Sequence, residues 1–221
     1  MELKYKNWKE ISVNTFKKLQ ANINNAEEDG DNMLNNLNKE IAMLAVLCDV
    51  DEDAIANLTQ NEFSKLLTQT NFLADMPKVK VTDKYRINGA DYQVFLSLKQ
   101  MTVSQYIDFQ TFYADTEKYF CELLACFLIP KGKKYGEGYD IDVVVRDIGE
   151  HLSIVDANSI LFFFALLYRS LTKAMLSYSV RQMKKLMKKM KDKAEKTKLQ
   201  TAIAEMEKAM SLLTNGDGSI W

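Results

Sequence analysis

Apolar residues in the first third of the chain recur at helical spacing. Leu34, Leu37, Ile41, Leu44 and Cys48 are three or four positions apart, which predicts a helix from about Asn32 to Cys48 with one apolar face. The preceding residues 26–32, AEEDGDN, read as a polar loop. Upstream, Trp8, Ile11, Phe16 and Leu19 predict an aromatic anchor and a short helix starting near Ser12. Asp49 with Glu52, and Thr59 with Glu62, fit the capping-box pattern: a small acceptor takes the backbone N–H three residues on, and the carboxylate there reaches back. Each predicts a short helix, the second carrying Phe63, Leu66, Leu67 and Leu73. Met76-Pro77 closes this region, so residues 1–76 are expected to form a small helical unit.

The period then changes. Val79, Val81, Tyr85 and Ile87 alternate with polar neighbours, Asn88-Gly89 interrupts, and Tyr92, Val94, Leu96 and Leu98 alternate again. Asn-Gly supplies the two positive φ angles of a type I′ turn, so a hairpin over about 78–98 is predicted with Tyr85 opposite Tyr92, Val81 opposite Leu96 and Val79 opposite Leu98. Thr102-Val-Ser-Gln105 is a further capping box. It opens a helix whose Phe109, Phe112, Tyr113, Phe120, Leu123, Leu124 and Phe127 form a wide apolar stripe stopped by Pro130. Residues 131–140, KGKKYGEGYD, read as a glycine and tyrosine loop, and Ile141 to Ile148 fits a short helix or a strand. A longer helix is expected to begin near Asp156 to Ser159, burying Ile160, Phe164, Leu167, Leu171, Met175 and Tyr178.

The end of the chain is amphipathic in a different way. Met183, Met187, Met190 and Ala194 keep a helical stripe, and Leu199, Ile203, Met206, Met210 and Leu213 make a second. The step from Ala194 to Leu199 breaks phase, which places a turn or stutter around Lys196 to Lys198. Residues 215–219, NGDGS, read as a flexible tail before Ile220-Trp221. The pattern as a whole predicts a mainly α fold: a helical unit over 1–76, the hairpin with a helical core over 77–180, and an extended amphipathic arm over 181–221.

Charge is balanced overall, 29 basic against 30 acidic residues, but it is segregated. Ala26 to Asp53 holds nine acidic residues and one basic, and Arg181 to Gln200 nine basic and two acidic. These segments are expected to attract each other, within a molecule or between subunits, with a force that falls as the screening length shrinks from about 10 Å at 0.1 M salt to about 3 Å at 1 M. The basic helix admits two readings. It can bind an anionic surface or an acidic partner, or it is a solvated helix end whose lysines sit well beside the carbonyl dipoles. It lacks the aromatics that stack on bases, which disfavours nucleic acid.

Composition removes most chemistries. The chain of 221 residues has one histidine, three cysteines and eight glycines. Asp49-x-Asp51-x-Asp53 begins like a calcium loop, yet Ala54 stands where glycine is needed and Gln60 where a bidentate Glu is needed, so a helix start is the better reading. Gly132-Lys133-Lys134 fails as a phosphate loop because Phe127 replaces the leading glycine and Lys134 the magnesium-binding hydroxyl. His151 stands alone with no nucleophile motif around it. Cys48, Cys121 and Cys126 have no metal-ligand spacing and are expected as reduced, buried thiols. The expectation is a protein without enzymatic activity, cofactor or metal. The amino terminus lacks a secretory signal, and the apolar run from Ile160 to Tyr168 is shorter than the roughly 20 residues of a span, which points to the cytosol and away from a membrane.

The order of the phrases NWKEISVNTFKKLQ, IAMLAVLCDVDEDAIANLTQNEFSKL, YRINGADYQVF, MTVSQYIDFQTF and CFLIPKGKKYGEGYDI, over residues 5–180, resembles the tail assembly chaperone-like proteins of tailed bacteriophages. The resemblance implies a non-enzymatic helical factor in the host cytoplasm. Such a factor binds tape-measure or tail-tube subunits until the tail assembles and is absent from the finished particle. A virion component of the neck or baseplate is the competing class, and a nucleic-acid-binding accessory factor a third. The residues expected to meet the partner, or a second copy, are those of the carboxy-terminal stripes: Met183, Met187, Met190, Leu199, Ile203, Met206, Met210 and Leu213, with Trp221 as a terminal anchor. Methionine suits such a surface because its flexible thioether repacks around different clients.

Overall fold

The structure, a computed structural model, describes residues 1–26, 32–95, 101–190 and 192–215. It is mainly α with a small antiparallel sheet inserted in the chain. Helix α1 (Val13–Asn25) starts where Ser12 accepts the Thr15 amide on its hydroxyl, and α2 spans Asn32–Cys48. Helices α3 (Glu52–Ala56) and α4 (Gln60–Gln69) follow, then a 3-10 turn (Thr70–Ala74). The Thr59 box forms as expected, with both reciprocal bonds to Glu62. The Asp49 box does not form. Asp49 takes a left-handed backbone with φ of 57°, and Asp51 becomes the residue before α3, without a side-chain cap bond.

The hairpin is present but shorter than expected: β1 (Lys84–Ile87) and β2 (Ala90–Val94) pair with Tyr85 opposite Tyr92. Asn88 and Gly89 carry φ of 47° and 76°, the positive angles the turn requires. Val79 and Val81 lie before the strand, while Leu96 and Leu98 fall outside the described residues. The single helix expected from Thr102 to Pro130 is corrected to three elements: α5 (Val103–Tyr113), α6 (Phe120–Ala125) and a third strand, β3 (Leu128–Pro130). The break has a local cause, because the Asp115 carboxylate accepts the Lys118 amide at 3.2 Å and draws the chain into turns. Folding back brings the Phe109 and Phe127 rings to 5.4 Å, and Leu128 pairs with Val94, Ile129 with Gln93 and Pro130 with Tyr92. Proline is tolerated there because β3 is an edge strand.

Ile141–His151 is helix α7, opened by Asp140, whose side chain accepts the Asp142 amide. Helix α8 runs Ile154–Lys189 and α9 runs Lys193–Asn215. The break between them therefore comes before the position expected at Lys196 to Lys198. Asp192 Oδ1 accepts the backbone amides of Ala194 at 2.7 Å and Glu195 at 3.2 Å, which starts α9 there.

Contacts divide the chain into two compact units, Met1–Ile160 and Leu161–Trp221. Within the first, Trp8 donates its indole N–H to the Asp75 carbonyl, Val13 N bonds Leu152 O, and Ile154 N bonds Ile11 O, so the segments around residues 8, 75 and 152 are stitched together. Its core is formed by Ile11, Leu44, Leu47, Ile55, Ile87, Phe109, Leu123, Leu124, Leu128, Ile129 and Ile148, all essentially inaccessible. In the second unit α8 and α9 run antiparallel: Ser177 bonds Met210, and seven residues later on α8 Lys184 pairs with Glu207, three residues earlier on α9.

Candidate interaction surfaces

The side chains that could carry chemistry are engaged in structure. Asp147, buried at the end of the hairpin, accepts Asn88 Nδ2 at 3.1 Å and the Tyr92 hydroxyl at 3.3 Å. Tyr135 of the glycine-rich loop donates its hydroxyl to Asp108 at 3.0 Å and lies 3.8 Å from the Cys126 sulfur. Gln105 is fully buried and donates to the Cys126 carbonyl at 2.6 Å. Burial pushes the Cys126 thiol up to about 12, with the Tyr135 hydrogen bond working against it, and the Cys121 thiol up to about 11. A thiol held protonated in this way is a poor nucleophile. All three cysteines are free.

Asp49, Asp51 and Asp53 do not converge on a cation site. Asp49 pairs with Lys4 at 2.6 Å, whose hydrogen bond holds the carboxyl below its usual range, and Asp53 sits in the first turn of α3. Among the described residues no three His, Cys, Asp or Glu are grouped to hold a metal ion. His151 lies in the last turn of α7, half exposed, with Nε2 3.7 Å from the Glu150 carboxylate. An open cleft of about 440 Å³ between the amino-terminal helices is lined by Tyr5, Thr15, Lys18, Asn22, Asp49, Asp51 and Glu52, among others. Its lining is mixed in charge and holds no buried unpaired group.

What remains are apolar faces. On α5, Val103 (78% exposed), Tyr106 and Ile107 (57%) point outward within an arc of about 100° at helical periodicity. The opposite side of the same helix buries Gln105 and Phe109. The Phe109 ring lies 6.4 Å from Tyr106, which ties the outer row to the core. At the start of α2, Met33, Leu34 and Leu37 are also exposed. On α8, Met175, Tyr178 and Leu186 form an outward row within about 80°.

The carboxy-terminal stripe expected to meet a partner is placed differently. Met183, Met187, Met190, Leu199, Met206 and Met210 are half-buried and Ile203 is only 5% exposed, with the Met210 sulfur accepting the Ser177 hydroxyl. Much of that stripe is therefore turned inward. Leu213 falls in the last turn of α9, and Trp221 lies outside the described residues. The outward residues Met175, Tyr178 and Leu186 replace it as the open apolar row of the unit. Met175 and Tyr178, expected on the buried face, are corrected to the exposed one. Lone periodicity could not separate the two sides, because α8 has apolar residues on both.

By length and composition alone, Ile154–Lys188 would suffice to cross a membrane, with an 18-residue window of mean hydropathy 1.4. The core helix of a soluble protein passes the same test, and Ile154, Val155, Ala157 and Ile160 are buried. The run from Ile160 to Tyr168 understated this stretch because isolated polar residues do not interrupt its average. Comparison with protein-family models, with curated proteins and with solved structures finds no match.

Proposed function

We propose that this chain is a non-enzymatic protein-binding factor of the phage tail assembly chaperone kind, which holds tape-measure or tail-tube subunits in the host cytoplasm until they assemble. The observation that supports this reading is the outward row of Val103, Tyr106 and Ile107 on α5, a helix already anchored in the core by its other side. A soluble protein that presents large apolar side chains on successive turns offers a surface that a client helix or strand can cover. Met175, Tyr178 and Leu186 offer a second such row, flanked by Arg181 and Lys185 that suit an acidic client. The resemblance in the order of sequence phrases directs the choice of client toward tail proteins.

Co-expression with a tape-measure protein and with a tail-tube subunit tests the reading. The expected result is that the client stays soluble and co-purifies, that Val103→Ser with Ile107→Ser lowers its recovery several-fold, and that mature particles lack the chain. Retention in mature particles would favour a virion component, and a client equally soluble without the chain would end the chaperone reading.

A further inference from the structure

From Leu161 to Lys188, α8 carries six basic residues and no acidic one. Its side chains sort by direction. At about 100° per residue, Val180, Lys184 and Ser177 form the side that meets α9, where Val180 is buried, Lys184 pairs with Glu207 and Ser177 bonds Met210. Arg181, Lys185 and Lys188, all exposed, follow as a strip about 60° wide. The row of Met175, Tyr178 and Leu186, at 60%, 64% and 58% exposure, comes next and faces away from α9. Apolar ridge and basic strip therefore run side by side for about 20 Å on the open side of the helix.

That pairing restricts what can cover it. The ridge is one helix face with about one large apolar side chain per turn, which gives a folded protein little to interlock with, whereas fluid lipid closes around isolated side chains. Basic residues without intervening acids suit a surface that is negative everywhere better than a partner with its own fixed pattern of charges. Tyr178 stands between ridge and strip, and its apolar ring and polar hydroxyl fit the depth where headgroups meet acyl chains.

We propose that this face of α8 docks on an anionic lipid surface, with Met175, Tyr178 and Leu186 entering the acyl boundary and Arg181, Lys185 and Lys188 on the lipid phosphates. The helix lies along the bilayer and does not cross it, since α9 packs on its other side. The α5 row that supports the proposed function takes no part, so this inference does not rest on that reading. Lipid and an acidic client would compete for the α8 row alone.

Co-sedimentation of the full chain with vesicles tests the proposal. The chain should bind vesicles of phosphatidylcholine mixed with phosphatidylglycerol at about 0.1 M salt, and several-fold more weakly at about 1 M or with phosphatidylcholine alone. At about fivefold for each basic residue lost, Arg181→Glu with Lys185→Glu should weaken binding roughly 25-fold or more. Met175→Ser with Leu186→Ser should weaken it several-fold at unchanged helicity by circular dichroism. Lys208→Glu, on the side of α9 turned away from the buried Ile203, should leave it nearly unchanged. Absence of binding to the anionic vesicles overturns the proposal. So does binding that Lys208→Glu weakens as much as Lys185→Glu, which is net charge alone, or binding that Met175→Ser with Leu186→Ser leaves intact, which is adsorption without insertion. Capture of a glutamate-rich helical peptide by this row, with no binding to the vesicles, overturns it in favour of an acidic protein partner.

Discussion

Polar side chains inside the first unit act as fasteners. Asp147 joins the turn residue Asn88 to Tyr92 of the neighbouring strand, and Gln105 ties α5 to the carbonyl that precedes β3. Each satisfies a group that would otherwise be buried without a partner. The same burial holds several acids in their protonated form. Tyr92 is pushed up to about 12 by burial, with the charge of Asp147 adding to it, and Cys126 and Cys121 rise to about 12 and about 11 from an ordinary 9.0. Because the folded values are raised, these groups contribute stability that is fully present below the unfolded values, near 9 for the thiols and 10 for the phenol. That stability is lost as pH rises through 11 to 12. Two pH units of displacement correspond to on the order of 3 kcal/mol for a group that feels them fully. Urea unfolding followed from pH 8 to pH 12 should show stability falling steadily above pH 9, and a midpoint that stays constant over this range would contradict it. Thiol reagents at pH 8 should label half-buried Cys48 well before Cys121 or Cys126.

Elements were legible where a local signal and the hydrophobic period agreed. The Thr59 and Thr102 boxes, the Ser12 cap, the span of α2 and the Tyr85–Tyr92 register were all readable, because each rests on contacts within a few residues of the signal. Strand β3 was not, since Phe127 to Pro130 continues a helical stripe and its strand partner lies 36 residues earlier. For α7 the apolar spacing of Ile141 to Ile148 fits a helix and a strand alike, and its cap, Asp140, is a weak signal in the sequence. The outward face of α5 was present as the spacing of Val103, Tyr106 and Ile107, but sequence alone could not show that the stripe through Phe109 would take the core. At the α8–α9 junction the apolar phase breaks at Lys196 to Lys198, whereas the capping side chain is Asp192, ahead of that break. Asp192→Ala should therefore cost about 1 kcal/mol at the start of α9. Amide exchange at Ala194 to Thr197 should quicken about fivefold as the first turn frays. Unchanged exchange there would mean that packing, and not the cap, sets where α9 begins.

At the scale of the whole molecule, the division between the two units falls within the residues of α8, after Ile160. The first unit has its own core, built from α1 to α7 and the sheet, and of α8 it includes the buried Ile154, Val155, Ala157 and Ile160. The second unit is a helical hairpin with a narrow seam at Val180, Ile203 and Met210. A two-helix seam encloses little apolar area compared with a core of more than thirty buried side chains, so the hairpin depends on its own antiparallel partner to stay ordered. Removing residues 183–221 takes away α9 and the last turns of α8 while leaving Ile154 to Gln182 in place. The shortened chain should keep the cooperative urea transition of the first unit at an unchanged midpoint. Its helicity should fall by more than the deleted residues account for, because the part of α8 around Ser177 and Val180 loses the helix it packed against. A shifted midpoint would show that the first unit draws stability from the hairpin, and the chain would then have to be treated as one cooperative structure. If the midpoint holds and the proposed tail-protein binding persists, that interaction resides on α5 or α2; if it is lost, it resides on the row of Met175, Tyr178 and Leu186 that the hairpin presents.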